Sequence, residues 1–334
     1  MRGFTMSPNF FSPKKRVINI IINDHSIRFL ELKQANPPIP SKWGERYLPA
    51  GIINNGKIND YETLSTILEE CINDWKLRNR QVRFLIPESF VIIRKVTIPA
   101  DVKDDEIKGH LYLELGTSIH LPFDEPVFDA VVLSEDKEKK EILIFAAQEE
   151  SVKEYSNLLS DNKLKPIEAE ISPLSIYRLF YHLNQAKKNE DLLVVQFDLN
   201  NVNISIFENQ FPIFMHHMPI EFNDSKWEKQ LNRSGTYEMT YNGEPDDLVY
   251  QFDDIYKEIS RLMDFYRYSL HKGQKQVSRI LLNGDYPLLA KIKMDLENRF
   301  EVPLETFAYD ELVPLEQKLP PTHYLALGLA LKGV

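Results

Sequence analysis

Two stretches of this chain have the same outline, and that repetition limits its fold more than any other feature. Val17 to Leu32 is an apolar run, a polar turn at Asn23-Asp24-His25-Ser26, and a second apolar run. Leu192 to Phe207 repeats the pattern around Asp198, Leu199, Asn200 and Asn201. Each reads as a strand, a tight turn and an antiparallel strand, because Asn and Asp accept the backbone conformations such turns require. One such unit opening each half of a 334-residue chain points to an internally duplicated fold.

The length suits about two domains of ~100–200 residues. A hydrophobic fraction of 43% is enough for a sizeable core. A net charge of -10 argues against a nucleic-acid partner, which calls for a basic face. No apolar run approaches the ~20 residues that span a bilayer. Residues 1–16 hold Phe10-Phe11 and Lys14-Lys15-Arg16 without an apolar core, so they read as a short disordered lead-in rather than a secretory signal. Cys71 is the one cysteine, which rules out an intrachain disulfide. It sits on an apolar helical stripe with Leu64, Leu68 and Ile72, as a buried thiol would.

Strand and helix patterns alternate along the chain. Helices are expected over 61–77, from Asp104-Asp105 onward, at 150–162 and 173–185, from Val249 to Leu270, and from Leu288 to Phe300. Strands are expected at 82–87, 90–98, 127–133, 142–147, 211–218 and 277–282. Residues 221–247 are polar and read as a loop or loosely structured insertion. This alternation predicts an α/β architecture.

The order of several segments resembles the PilM family, actin-like proteins of type IV pilus assembly and related competence systems that are themselves similar to FtsA. The resemblance runs from Val17 to the end. It rests on the 17–32 hairpin, on Arg94 to Pro99, on Leu113 to Phe123, on Leu164-Lys165-Pro166, on Glu258 to Tyr266 and on Gly328 to Gly333. It implies a duplicated, two-lobed actin-like (ribonuclease-H-like) fold. The first lobe would comprise 17–85 and 166–190, with an FtsA-like subdomain inserted at 86–165, and the second 191–334. It also implies a partner, the cytoplasmic tail of a PilN-like single-span inner-membrane protein, and contact with other assembly proteins such as the motor ATPase. The chain would then lie at the cytoplasmic face of the membrane. Arg94 and Glu114 stand out as partner contacts through the resemblance alone.

In actin-like ATPases, paired turns grip the nucleotide's phosphates with backbone N–H groups, glycine permits the close approach, and carboxylates hold Mg²⁺ through water. Neither turn here contains glycine. Asn23 falls on the first turn's glycine and is followed by Asp24, His25 and Ser26, while Ile21 replaces the expected acid. In the second turn Gln196 replaces the acid and Asp198 the glycine; Asp198 is either a displaced Mg²⁺ ligand or a turn residue bonded to its own backbone. Asn200 and Asn201 complete that turn. The adenosine-side turn keeps Gly284, between Asn283 and Asp285, and Asp285 has the placement of a helix cap. An unpaired carboxylate ~4 Å from a phosphate costs roughly 4 kcal/mol at an effective dielectric of 20. The expectation is a pseudo-ATPase scaffold with ATP and Mg²⁺ bound weakly or lost and no catalytic residue; the alternative is an ATP-binding protein whose nucleotide state controls its partner. His216 and His217, adjacent on a strand, point to opposite faces and do not share a metal. No P-loop, G-x-S-x-G or zinc-ligand spacing is present.

Overall fold

The computed structural model describes residues 17–221, 224–231, 237–314 and 318–334. The expected lead-in, 1–16, lies outside them. The chain opens with β1 (Ile18–Asn23), β2 (Ser26–Gln34), β3 (Ile39–Tyr47), a small hairpin of β4 (Ile53–Asn54) and β5 (Lys57–Ile58), helix α1 (Tyr61–Trp75) and β6 (Gln81–Leu85). Asp60 caps α1, accepting the Thr63 N–H at 3.0 Å. Next come β7 (Val91–Pro99), α2 (Ile107–Glu114), β8 (Pro126–Glu135) and β9 (Lys139–Gln148), then α3 (Glu149–Asp161), β10 (Lys165–Glu170) and α4 (Ser172–His182). The other half contains β11 (Asp191–Phe197), β12 (Asn201–Glu208), β13 (Phe211–Pro219), β14 (Trp227–Leu231), β15 (Tyr237–Tyr241), α5 (Pro245–Asp264), β16 (Arg279–Gly284), α6 (Leu289–Arg299), β17 (Leu304–Glu305), α7 (Tyr309–Leu312) and α8 (Tyr324–Ala330).

The duplication is explicit in the sheets. One runs β10-β6-β1-β2-β3 and the other β17-β16-β11-β12-β13. In both, a hairpin pairs antiparallel with a third strand on one side and parallel with two crossover strands on the other.

Each sheet is apolar on both faces and needs two covers. On β1, Ile18, Ile20 and Ile22 face a core with Leu64, Leu68 and Cys71 of α1, while Ile21 faces α4 and α8. On β11, Leu193, Val195 and Phe197 face α5 and α6, while Leu192 and Val194 face Ile176, Tyr177 and Phe180 of α4. Helix α4 thus packs against both sheets, through Leu179 and Leu183 on one side and Ile176 and Phe180 on the other. The third sheet, β7-β9-β8, is covered on one face by Ile107 and Leu111 of α2; Ile93 and Leu143 pack with Ile171 and with Phe211 and Met215 of β13.

Three sequence expectations change. Residues 149–164, assigned to the insertion, pack with the first sheet instead: Tyr155, Leu158, Leu159 and Leu164 share its core because α3 leads directly into β10. The chain end, assigned to the second lobe, crosses back, and Leu327, Leu329 and Ala330 of α8 pack with Ile21 and Leu30. The polar segment 221–247 contains a β-ribbon, β14 against β15, and the first residues of α5. Beyond α5 the helix continues as a π-turn over Phe265–Leu270, and Leu270 is exposed there; Val249, near the start of α5, is exposed too, although both fit the apolar stripe.

Gly328 is where α8 crosses α4. A Cβ there would stand 2.0 Å from the Ser175 carbonyl oxygen, a backbone atom that cannot rotate away. Gly328→Ala should therefore cost about 3 kcal/mol, at the upper end of overpacking effects, read from urea unfolding; an unchanged midpoint would show that the helices separate freely. His323 is 2% exposed and hydrogen-bonds the Gly44 carbonyl through Nε2 at 3.2 Å. Burial lowers its pKa to about 4. The unfolded imidazole binds its proton near pH 6.5, so the native state should lose ~3 kcal/mol as pH falls from 6.5 to 4. His323→Gln should flatten that slope in urea titrations at several pH values; an equal slope would assign it to other groups.

Candidate functional site

The turns after β1 and β11 lie at corresponding ends of the two sheets, on either side of a cleft. The cleft encloses ≈ 370 Å³ and is lined by Asp24, His25, Tyr47, Leu199, Asn200, Trp227 and Met239, among others. The β14–β15 ribbon supplies Trp227 and Met239, so the segment expected to be a loop or loosely structured insertion forms one wall. Trp227 packs edge-on against Tyr286, with ring centroids 5.7 Å apart.

In the first turn, Asn23 Oδ1 accepts both the N–H and the hydroxyl of Ser26 at 2.9 Å, closing the reversal without glycine. Asp24 does not project freely into the cleft. Its carboxylate accepts the N–H groups of Asn55 at 2.5 Å and Gly56 at 2.9 Å, tying the turn to the β4–β5 hairpin. In the second turn, the Gln196 amide donates to Asp198, and the Asp198 N–H donates to the Asn201 carbonyl at 2.9 Å. Asn201 Oδ1 accepts from the Asn203 amide at 2.8 Å. Burial, then Asp285, push the Asp198 carboxyl well above the usual carboxylate range. Burial also raises Glu88, and Asp24 adds to the shift. Among the described residues, no three acidic, histidine or cysteine side chains stand together in a geometry that would hold a metal ion.

The residue that organises the cleft is Asp285, which sequence reasoning took for a helix cap. Helix α6 has no side-chain cap. Asp285 instead bridges the two halves. Its Oδ2 meets the Arg28 guanidinium at 2.5 Å and His25 Nε2 at 3.0 Å, and its Oδ1 accepts the Leu199 N–H at 2.9 Å. Arg28 also donates through Nε to Glu45 at 2.6 Å. The side chains of Arg28 and Asp285 are 5% and 3% exposed. Burial acts to raise the Asp285 carboxyl, but Arg28 and then His25 outweigh it and hold it below the usual carboxylate range. Gly284 makes the placement possible: its φ is +128°, and a Cβ would meet the Phe197 carbonyl oxygen at 1.8 Å. A second bridge is His217, whose two ring nitrogens lie 2.7 Å from Asn203 Oδ1 and from Asn55 Oδ1. The neighbouring His216 goes elsewhere, 3.7 Å from Glu258.

Three buried polar atoms around this cluster have no protein partner: His25 Nδ1, Asn200 Oδ1 and Asn283 Nδ2. Arg94, on β7, and Glu114, the last residue of α2, lie away from the cleft. Arg94 donates to the His120 carbonyl at 3.3 Å, and the Glu114 carboxylate accepts from Ser118. The signal missed in the sequence was Arg28, an apolar-strand arginine whose charge needs a buried partner.

Replacing Arg28 should expose this dependence. Arg28→Gln leaves Asp285 buried without its cation, and should cost about 3–5 kcal/mol at pH 7. The deficit should shrink as the pH is lowered toward 4. The native chain loses the Asp285 contribution below the unfolded carboxylate value of about 3.9, while the unpaired acid of the variant takes up a proton earlier. Chemical denaturation of both proteins across this range checks it; a pH-independent deficit would mean that Arg28 acts through packing alone.

The family profile described as "Type IV pilus assembly protein PilM" matches residues 20–334. Among solved structures, the chain is similar to one described as the "PilM-PilN type IV pilus biogenesis complex", with a TM-score of 0.77 and 20% identity over 96% of this chain and 99% of that one. It is also similar to the ethanolamine utilization protein EutJ from Carboxydothermus hydrogenoformans, with a TM-score of 0.51 and 12% identity over 96% and 91% of the two chains. No protein of curated function matches it by sequence. The duplicated sheets and the facing turns are those of an actin-like fold, and with the profile spanning nearly its whole length, the chain belongs to the PilM family of type IV pilus assembly proteins.

Proposed function

We propose that this protein is a scaffold of a type IV pilus or competence machine. In this reading it sits at the cytoplasmic face of the membrane and holds the extended tail of a PilN-like inner-membrane protein. Among the described residues no helix is long and apolar enough to cross a membrane, so attachment would come through such a partner. The observation that carries the reading is a groove of ≈ 520 Å³ between the β7-β9-β8 sheet and the first lobe. Strand β8 pairs only with β9 among the described strands, which leaves one edge of hydrogen-bonding groups along the groove. Val127, Val131, Phe145, Ile171 and Leu174 give an apolar lining, and Lys108, Asp129, Arg178 and Lys332 add charge. An open edge beside apolar pockets is the arrangement that binds an extended peptide as an added strand. Neither Arg94 nor Glu114 belongs to this lining, so the groove replaces them as the proposed contact. We take the three-stranded sheet and α2, residues 91–148, as the inserted unit.

In the same reading the nucleotide cleft is disabled. A phosphate there would face the Asp24 carboxylate, while Arg28 and His25 are already committed to Asp285. Each unscreened like charge ~4 Å away costs roughly 4 kcal/mol at an effective dielectric of 20, against about 8 kcal/mol for micromolar binding. The second reading, Mg-ATP binding that switches the partner, draws on the unpartnered His25 Nδ1 and Asn200 Oδ1 at the cleft.

A labelled PilN-like N-terminal peptide should bind in the micromolar range by fluorescence anisotropy. Val131→Lys, which puts a charge into the groove, should weaken it by at least ~10-fold, about 1.4 kcal/mol, without changing the fold by circular dichroism. Undiminished binding to this variant would move the partner site elsewhere.

A further inference from the structure

We infer that Asp285 is the cleft's own anion: it fills a site built for an oxyanion of the phosphate class and, by doing so, latches the two lobes together. The inference rests on the reading of the cleft as disabled and supplies its cause.

The donor set around the Asp285 carboxylate is what a phosphate oxygen would require. It consists of a buried guanidinium (Arg28), a buried imidazole (His25) and a backbone N–H from the second hairpin turn (Leu199). Arg28 and His25 belong to the first sheet and its turn, Leu199 and Asp285 to the second half of the chain. An ordinary structural ion pair needs none of the turn amides. Here the amide that a phosphate would meet at this turn is spent on a carboxylate from the adjacent strand end. Glycine at 284 brings that carboxylate in, because no other residue fits against the Phe197 carbonyl at this φ. His25 and Leu199 also line the cleft, so this donor set borders its open space. Buried beside the cleft, the protein's own carboxylate stands where an exchangeable anion would otherwise stand. Removing it should therefore uncover a binding site and release a constraint between the lobes. The Asp24 carboxylate lines the same cleft, so the uncovered site should be weak.

The test titrates inorganic pyrophosphate, with and without Mg²⁺, into the native chain, Asp285→Ser and Arg28→Gln/Asp285→Ser, by calorimetry and thermal shift. The native chain should give no heat, Asp285→Ser should bind at least ~10-fold more tightly, and the double variant should lose that gain. A folded Asp285→Ser that binds no better than the native chain overturns the inference, as does equal binding by the double variant. If Asp285→Ser does not fold, hydrogen exchange of the native chain decides. The Leu199 amide should be protected ~100-fold or more whether or not ATP is added, and exchange at the free rate would show that the latch is not formed. Micromolar Mg-ATP binding by the native chain would defeat the reading of a disabled cleft itself. A native chain silent to ATP, with no gain in Asp285→Ser, would defeat the latch alone.

Discussion

The architecture depends on one shared apolar layer. Residues of β1 and β11 are buried on both faces, so neither sheet is stable with a single cover. Helix α4 supplies the inner cover for both at once, with Leu179 and Leu183 turned to one sheet and Ile176 and Phe180 to the other. Helix α8 completes the layer, and Gly328 lets it approach α4 at backbone distance. Because both sheets are fixed against the same helix, their hairpin turns are held facing each other. The cleft follows from that constraint.

What a cleft of this kind does is then decided by charge. Closing it around an ion pair places Arg28 and Asp285 where water barely reaches, and each is tolerable only because the other is present. Asp24 and Asn23 have become structural, satisfying the backbone of β4–β5 and of their own turn. Turns without glycine form here by side-chain hydrogen bonds. The proposed role therefore shifts to the other concave surface, the groove along β8, where apolar lining and an open strand edge coincide.

Much of this was readable from residues in order. Hydrophobic periodicity placed β1, β2, β11, β12, α1 and α5 close to where they lie, because these elements bury continuous or regularly spaced apolar residues. Strand β3 was missed: Ile39–Tyr47 contains Pro40, Lys42, Gly44 and Glu45, and as an edge strand it carries no clean alternation. The β14–β15 ribbon was missed for the same reason, being a polar two-stranded unit whose Trp227 packs on a tyrosine nearly sixty residues later. In the sequence the two polar turns were legible as turns, and Gly284 stood out through the resemblance, but the bridge made by Asp285 was not legible. A carboxylate after a strand caps a helix or bridges a cleft depending on what faces it.

The sequence by itself determined a duplicated α/β chain with two polar hairpin turns and no glycine in either, since strand patterning and turn chemistry are local properties. Only the tertiary structure decided that α3 and α8 pack with the first sheet, that the polar segment becomes a cleft wall, and that Arg28 and His25 find Asp285. Those outcomes depend on contacts between residues 260 or more positions apart, as in His25 with Asp285 and His323 with Gly44. An electrostatic partner is chosen by distance and burial in space, and a linear sequence records neither.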